Sequence, residues 1–289
     1  MDNDVRVWVD GALVDPQAPT VRALDHGVTV GDGAFETAKI DRGVVFAATR
    51  HLRRLDRTLA GLGLPPADHE RIAAGVAAVL AAGSPIEFGR LRYTVTGGMG
   101  PLGSDRSDAP ATYIVLAAEQ PHPPASAGVA LVPWTRNERS AVAGLKTTSY
   151  AENVVALRRA QELGAIEALV TNTAGLLCEG TGSNVFLVEG ERVVTPDLAS
   201  GCLAGITREL VIEWGREAGF DVVEEPIEVD RLLSADEVFI TSSTKDVLPI
   251  DTVLDARTDE VTSRTVVPGP VTAELAVTFA RFAAERNDP

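Results

Sequence analysis

The stretch Leu145-Lys146-Thr147-Thr148-Ser149-Tyr150-Ala151-Glu152-Asn153 decides how the rest of the chain is read. Lys146 is one of three lysines, with Lys39 and Lys245, among 26 basic residues, so chemistry that needs a primary amine has few places to go. Arginine cannot replace it, because a guanidinium stays protonated and forms no Schiff base. The small apolar run Ala143-Gly144-Leu145 precedes the lysine, and the residues after it read as a helix with Ser149 as N-cap. Taken alone, the stretch fits a solvated loop lysine as well as a reactive one. The rest of the chain supplies the context.

Composition sets the bounds. With 289 residues, 45% hydrophobic and 23% charged, the chain is long enough for two globular domains with their own cores. No apolar run approaches the roughly 20 residues of a membrane span, and the polar start Met1-Asp2-Asn3-Asp4 lacks the features of a signal peptide. A cytoplasmic location is expected. The net charge of −15 opposes binding to nucleic acid or to anionic lipid. Two cysteines, Cys178 and Cys202, are too few for a disulfide framework and read as small core residues. His26, His51, His69 and His122 lack metal-ligand spacing, so no metal is expected.

Working outward, Asp10-Gly11 and Asp41-Arg42-Gly43 mark two hairpins, with the bend Gly31-Asp32-Gly33 before the second. Leu52, Leu55, Leu59 and Leu62 recur at helical spacing. Arg54 falls away from most of that stripe, which suits a solvated cation unless a buried phosphate holds it. A second helix is expected over 68–82, followed by strands over 90–96 and 112–116. Arg90 and Arg92 share a strand face, either as two exposed arginines or as a clamp for a carboxylate. Glu119-Gln120-Pro121-His122-Pro123-Pro124 has the proline content of a linker. The expected architecture is therefore α/β in two domains, a smaller one over 1–118 and a larger one over 129–289, joined by 119–128.

In the second domain, Glu179 stands among apolar and small residues at a strand end. It reads either as a glutamate facing water or as a buried carboxylate that needs a partner, such as the protonated nitrogen of a pyridine ring. Gly205-Ile206-Thr207 opens a helix, and Thr241-Ser242-Ser243-Thr244 ends the apolar strand Glu237-Val238-Phe239-Ile240. Both are ordinary cap or turn sequences that also suit an anion. Val271 to Arg286 closes the chain as an amphipathic helix with Leu275, Phe279 and Phe282 inward.

Six segments in this order carry a resemblance: Gly31-Asp32-Gly33-Ala34-Phe35-Glu36, His51-Leu52-Arg53-Arg54-Leu55, the Lys146 stretch, Cys178 to Phe186, Leu203 to Arg208, and Glu237 to Ser243. Together they resemble the class IV, fold-type IV pyridoxal-phosphate enzymes, which include D-amino-acid aminotransferases, branched-chain aminotransferases and 4-amino-4-deoxychorismate lyases. The resemblance implies pyridoxal 5′-phosphate as cofactor, Lys146 as the Schiff-base lysine and proton shuttle, and Glu179 as partner of the pyridine nitrogen. It implies Arg54, Ile206, Thr207, Ser242 and Ser243 around the phosphate, and a homodimer acting on amino acids and 2-oxo acids. The run from Gly31 to Lys39 is similar to the D-amino-acid enzymes, so D-amino acids are the favoured substrates, with the lyase as the alternative and the branched-chain enzymes third. Phe35 stands where the D-specific enzymes usually carry tyrosine, and Gly97 to Asp105 replaces their carboxylate-binding Arg/His loop. Phe35, Arg90, Arg92, Arg106 and His26 remain as candidates for substrate contacts.

Overall fold

The computed structural model describes residues 5–289. The polar start Met1-Asp2-Asn3-Asp4 lies outside the described residues. The chain divides into two compact units, Met1–His122 with Leu145–Tyr150 and Asn287–Pro289, and Pro123–Gly144 with Ala151–Arg286. The division after His122 falls in the proline-containing segment 119–128, while the lysine segment groups with the N-terminal unit rather than with the chain around it.

In the first unit, β1 (Arg6–Val9) and β2 (Ala12–Val14) form a hairpin. A short helix α1 (His26–Thr29) follows, then β3 (Gly33–Asp41), β4 (Val44–Val45), α2 (Ala48–Leu62), α3 (His69–Ala81), β5 (Phe88–Thr96) and β6 (Tyr113–Glu119). The strands make one antiparallel sheet in the order β2-β1-β6-β5-β3-β4. Both hairpins turn on two residues of positive φ, Asp10 and Gly11 at 49° and 112° and Arg42 and Gly43 at 49° and 77°. That backbone twist matches the right-handed twist of the strands. Alternation along β3 buries Ala34, Ala38 and Ile40 against Leu55 and Leu59 of α2. Glu36 occupies the same face and has no exposed surface.

The second unit contains β7 (Ala127–Arg136), α4 (Ala151–Glu162), β8 (Glu167–Asn172), β9 (Leu177–Gly180), β10 (Asn184–Glu189), β11 (Arg192–Pro196), α5 (Ile206–Glu217), β12 (Asp221–Glu225), α6 (Val229–Ser234), β13 (Glu237–Ser242), β14 (Asp246–Asp255), β15 (Thr262–Thr265) and α7 (Pro270–Glu285). These strands form a mixed sheet in the order β12-β11-β10-β13-β14-β7-β8-β9, with β15 on β14. The central strands β10 and β13 are almost fully buried, which explains their continuous apolar runs. Phe186 and Phe239 face one another across that pair, with rings stacked at 4.7 Å. On α7, Leu275, Phe279 and Phe282 are buried, and Phe279 and Phe282 pack on Trp214 of α5. Among the described residues no helix is long and apolar enough to cross a membrane.

Phe239→Ala removes a ring from this fully buried pair and leaves a cavity that the two strands cannot collapse. It is expected to cost about 3–5 kcal/mol, read as a lower urea midpoint at an unchanged slope.

Candidate functional site

The lysine segment is held by β3. Phe35 N–H donates to the Lys146 carbonyl at 3.0 Å and Thr148 N–H to the Gly33 carbonyl at 2.8 Å, so residues 146–148 continue the sheet along the end of β3 that β4 does not reach. The Lys146 amide donates to Thr58 Oγ1 of α2 at 3.3 Å. Ser149, expected as an N-cap, instead donates its hydroxyl to the Gly31 carbonyl, as does Thr148. The backbone on both sides of Lys146 is thereby fixed to β3 and α2. Its Nζ lies 4.5 Å from the centroid of Phe35 and 5.9 Å from that of Tyr150, and the two rings meet edge to face.

Arg54 is not a solvated cation. It is buried, and its Nε and Nη2 donate to the two oxygens of Glu36 at 2.8 and 2.7 Å. His51, one turn earlier on α2, donates from Nδ1 to Glu36 Oε2 at 2.7 Å. Burial opposes ionisation of Glu36, but the charge and hydrogen bonds of Arg54, with the hydrogen bond from His51, outweigh it and bring the carboxyl down to about 2. Burial lowers His51 below its ordinary value despite Glu36, and the charges of Arg54 and Lys146 add to the effect. His51, Arg54 and Thr58 thus form one polar stripe at positions i, i+3 and i+7, next to the leucine stripe.

The substrate candidates separate. Arg92 is half-buried, with its guanidinium carbon 3.7 Å from the Phe35 centroid, so it shares that ring with Lys146. Arg90 is exposed on the same strand face. Arg106 is engaged elsewhere: Nε and Nη2 form a two-point pair with Asp32 at 2.7 and 2.6 Å, and Nη1 donates to the Gly63 carbonyl. His26 is buried and donates from Nε2 to the Pro101 carbonyl at 3.0 Å, holding the glycine-rich loop. Arg106 and His26 are therefore built into the loop, a role their spacing in the sequence did not reveal.

In the second unit Glu179 is buried at the end of β9. Its Oε2 accepts from the Leu203 amide at 2.9 Å, and Oε1 lies 3.4 Å from Nε of Arg136. Arg136 also donates to Asn153 Oδ1, and Asn153 in turn donates to the Thr181 carbonyl. Helix α5 begins at Ile206 behind Gly205, which has no side chain to cap it. A Cβ on Gly205 would lie 2.0 Å from Asn184 Oδ1, so only glycine allows this approach. Asn184 fixes the loop by donating to the Leu203 carbonyl at 2.9 Å. Ile206 and Thr207 are buried at the helix start, where uncapped amides and the helix dipole suit an anion. Ser242 and Ser243 stand half-buried at the end of β13. The neighbouring Lys245 lies 3.3 Å from Glu167, a buried carboxylate that also accepts from Thr181 and Ser183. Cys178 and Cys202 are free and buried; burial pushes the Cys202 thiol up to about 11 and Cys178 further.

The first unit carries an amine beside two aromatic rings and a buried arginine, and the second a helix start without a side-chain cap, strand-end hydroxyls and a buried carboxylate; by type, each set suits part of a phosphorylated pyridine aldehyde. The family model for amino-transferase class IV matches residues 33–253. A putative branched-chain-amino-acid aminotransferase of Methanocaldococcus jannaschii is 32% identical over 251 residues, 85% of this chain and 87% of that protein. The D-alanine aminotransferase of Bacillus licheniformis is 29% identical over 280 residues, 94% of each chain. The crystal structure of a branched-chain aminotransferase from Thermoproteus uzoniensis with norvaline superposes with a TM-score of 0.88 at 27% identity, covering 98% of this chain and 96% of that one. The chain belongs to the class IV aminotransferases, a pyridoxal-phosphate-dependent family.

His51 and Glu36 make stability depend on pH. Below the ordinary histidine value of 6.5 the unfolded chain takes up a proton that folded His51 refuses, so stability falls as pH drops. Glu36 adds to the loss between 4.5 and about 2. Thermal melts of wild type and His51→Gln between pH ~7.5 and ~5.5 are expected to show a smaller decline for the variant.

Proposed function

We propose that this chain is a pyridoxal-phosphate-dependent transaminase that moves an amino group between an amino acid and a 2-oxo acid in two half-reactions. The observation that carries it is Lys146, an amine fixed by backbone bonds to β3 with its Nζ over the Phe35 ring. When bound, the cofactor supplies an electrophilic carbonyl and a protonated ring that absorbs the negative charge left when the substrate α-proton departs. Lys146 Nζ would hold the carbonyl carbon of the cofactor, and the same amine would take the proton from the substrate α-carbon. Glu179 would keep a proton on the ring nitrogen. Leu203 N–H orients its Oε2, while Arg136 stands beside Oε1. Arg54, the amides of Ile206 and Thr207, the Thr207 hydroxyl, Ser242 and Ser243 would hold the phosphate.

For the substrate, Phe35 and Tyr150 offer an aromatic surface beside the amine, and Arg92 a cation for a carboxylate. Arg106 is paired with Asp32 and His26 with Pro101, which favours Arg92 among the candidates for the substrate carboxylate. These features favour amino donors with apolar side chains of the branched-chain type, as does the Methanocaldococcus relative. The reading in which D-amino acids are favoured keeps the run from Gly31 to Lys39 and the D-alanine aminotransferase likeness in its support. The proposal includes a cytoplasmic homodimer. Exposed Leu24, Val28 and Leu102 in the first unit, and Trp134, Val154 and Val155 in the second, are apolar surface that association would cover.

Single-turnover absorbance of the holoenzyme with L-leucine, L-valine, D-alanine and D-glutamate separates the readings. Conversion of the cofactor to its amine form with one equivalent of oxo acid is expected from the L-amino acids; reaction with D-alanine alone establishes the D reading. If none reacts, and aminodeoxychorismate yields p-aminobenzoate and pyruvate, the transaminase proposal fails in favour of a lyase. In the same assay Lys146→Ala is expected to abolish turnover, and Glu179→Gln to bind cofactor yet react about 100-fold or more slowly. A wild-type rate in either variant removes the role given to that residue.

A further inference from the structure

Glu36 is an ionised carboxylate in the middle of an apolar sheet face, between Ala34 and Ala38, and is completely buried. Burying a charge there costs free energy that only well-formed partners offset. The partners lie on the facing helix: Arg54 contributes two parallel N–H bonds and His51 a third, to the oxygen that already receives Arg54 Nη2. A monodentate contact would leave the guanidinium free to rotate about its bond to the carboxylate. The Nε–Nη2 pair fixes its plane and directs its opposite edge, which carries Nη1, away from Glu36. His51 fixes the carboxylate in turn, because Nδ1–H onto Oε2 stops Glu36 from turning about its own terminal bond. Lys146 is tied to the same two elements, through Phe35 on β3 and Thr58 on α2.

We propose that Glu36 is a positioning residue for phosphate recognition, acting through Arg54 and braced by His51. This rests on the reading above that Arg54 contacts the cofactor phosphate. The sign of the effect distinguishes positioning from charge. By charge alone, a carboxylate next to Arg54 repels a phosphate, and its removal strengthens binding. If Glu36 sets the plane of Arg54, its removal weakens binding even though a negative charge has been lost.

The test uses apoprotein titrated by absorbance with pyridoxal 5′-phosphate and, separately, with pyridoxal, which lacks the phosphate. Glu36→Gln keeps the side-chain size but replaces one carboxylate oxygen with an NH2 group, so that at least one N–H donor of Arg54 loses its acceptor. It is expected to weaken pyridoxal phosphate about 10- to 100-fold while pyridoxal changes less than about twofold. Glu36→Asp is expected to restore part of the difference. Equal weakening of both ligands marks a merely structural role and overturns the proposal, as does tighter binding of pyridoxal phosphate. Arg54→Met separates the two levels. If it leaves the preference for the phosphorylated ligand intact, the phosphate role of Arg54 fails and the inference falls with it; if it abolishes the preference while Glu36→Gln does not, only the inference fails. Should Glu36→Gln not fold, His51→Asn removes one of the hydrogen bonds to Oε2. A smaller loss of preference in the same direction is expected from it, and an unchanged preference overturns the proposal.

Discussion

The pairing of residues 146–148 with the first residues of β3 is the constraint on which the first unit's chemistry depends. A lysine side chain is long and carries considerable rotamer entropy, so its amine is only as well placed as the backbone beneath it. Here the backbone hydrogen bonds of a strand, supplied from more than a hundred residues away in sequence, do that work. Gly31 and Gly33 make the approach possible. A Cβ on Gly31 would lie 2.6 Å from Ser149 Oγ, and one on Gly33 would lie 3.2 Å from Thr148 Oγ1. Gly31-Asp32-Gly33 is thus a docking surface for the lysine segment as much as a bend before a strand.

The buried charges share a common design. Glu36, Glu167 and Glu237 are all nearly inaccessible, and each is met by several donors. Glu237 accepts from the Val271 and Thr272 amides at the start of α7. Glu167 accepts from Thr181 and Ser183 and lies beside Lys245. Because an orphaned buried carboxylate is expensive, each of these clusters resists displacement as a unit. The turns that follow Glu179 and Ser242 are tied at Thr181 and Lys245 by one such cluster, and Arg54 is held by another. The residues expected to do the chemistry are therefore positioned by residues that do none.

The helix start at Ile206 follows the same logic with backbone in place of side chains. Gly205 approaches Asn184 closely, Asn184 holds the Leu203 carbonyl, and the Leu203 amide meets Glu179. One loop thereby sets both a carboxylate and a pair of helix-terminal amides. A segment that reads as a common helix cap thus becomes part of one hydrogen-bonded loop.

What the sequence by itself determined is what short-range chemistry controls. Both hairpins turn at the Gly-containing pairs that tolerate positive φ, α2, α3 and α7 follow their apolar periodicity, and the motif order marks the family. Lys146 and Glu179 stand out in the sequence because few residue types could do the chemistry proposed for them. Only the tertiary structure decided the fates of the arginines and histidines. Helical periodicity sets Arg54 off the leucine stripe and so toward solvent, yet Glu36, 18 residues earlier on a facing strand, makes its burial favourable. Arg106 and His26 carry groups suited to a substrate, but Asp32 and Pro101 engage them. A long polar side chain is defined by its partner, and that partner lies on another element, where no local pattern of residues records it.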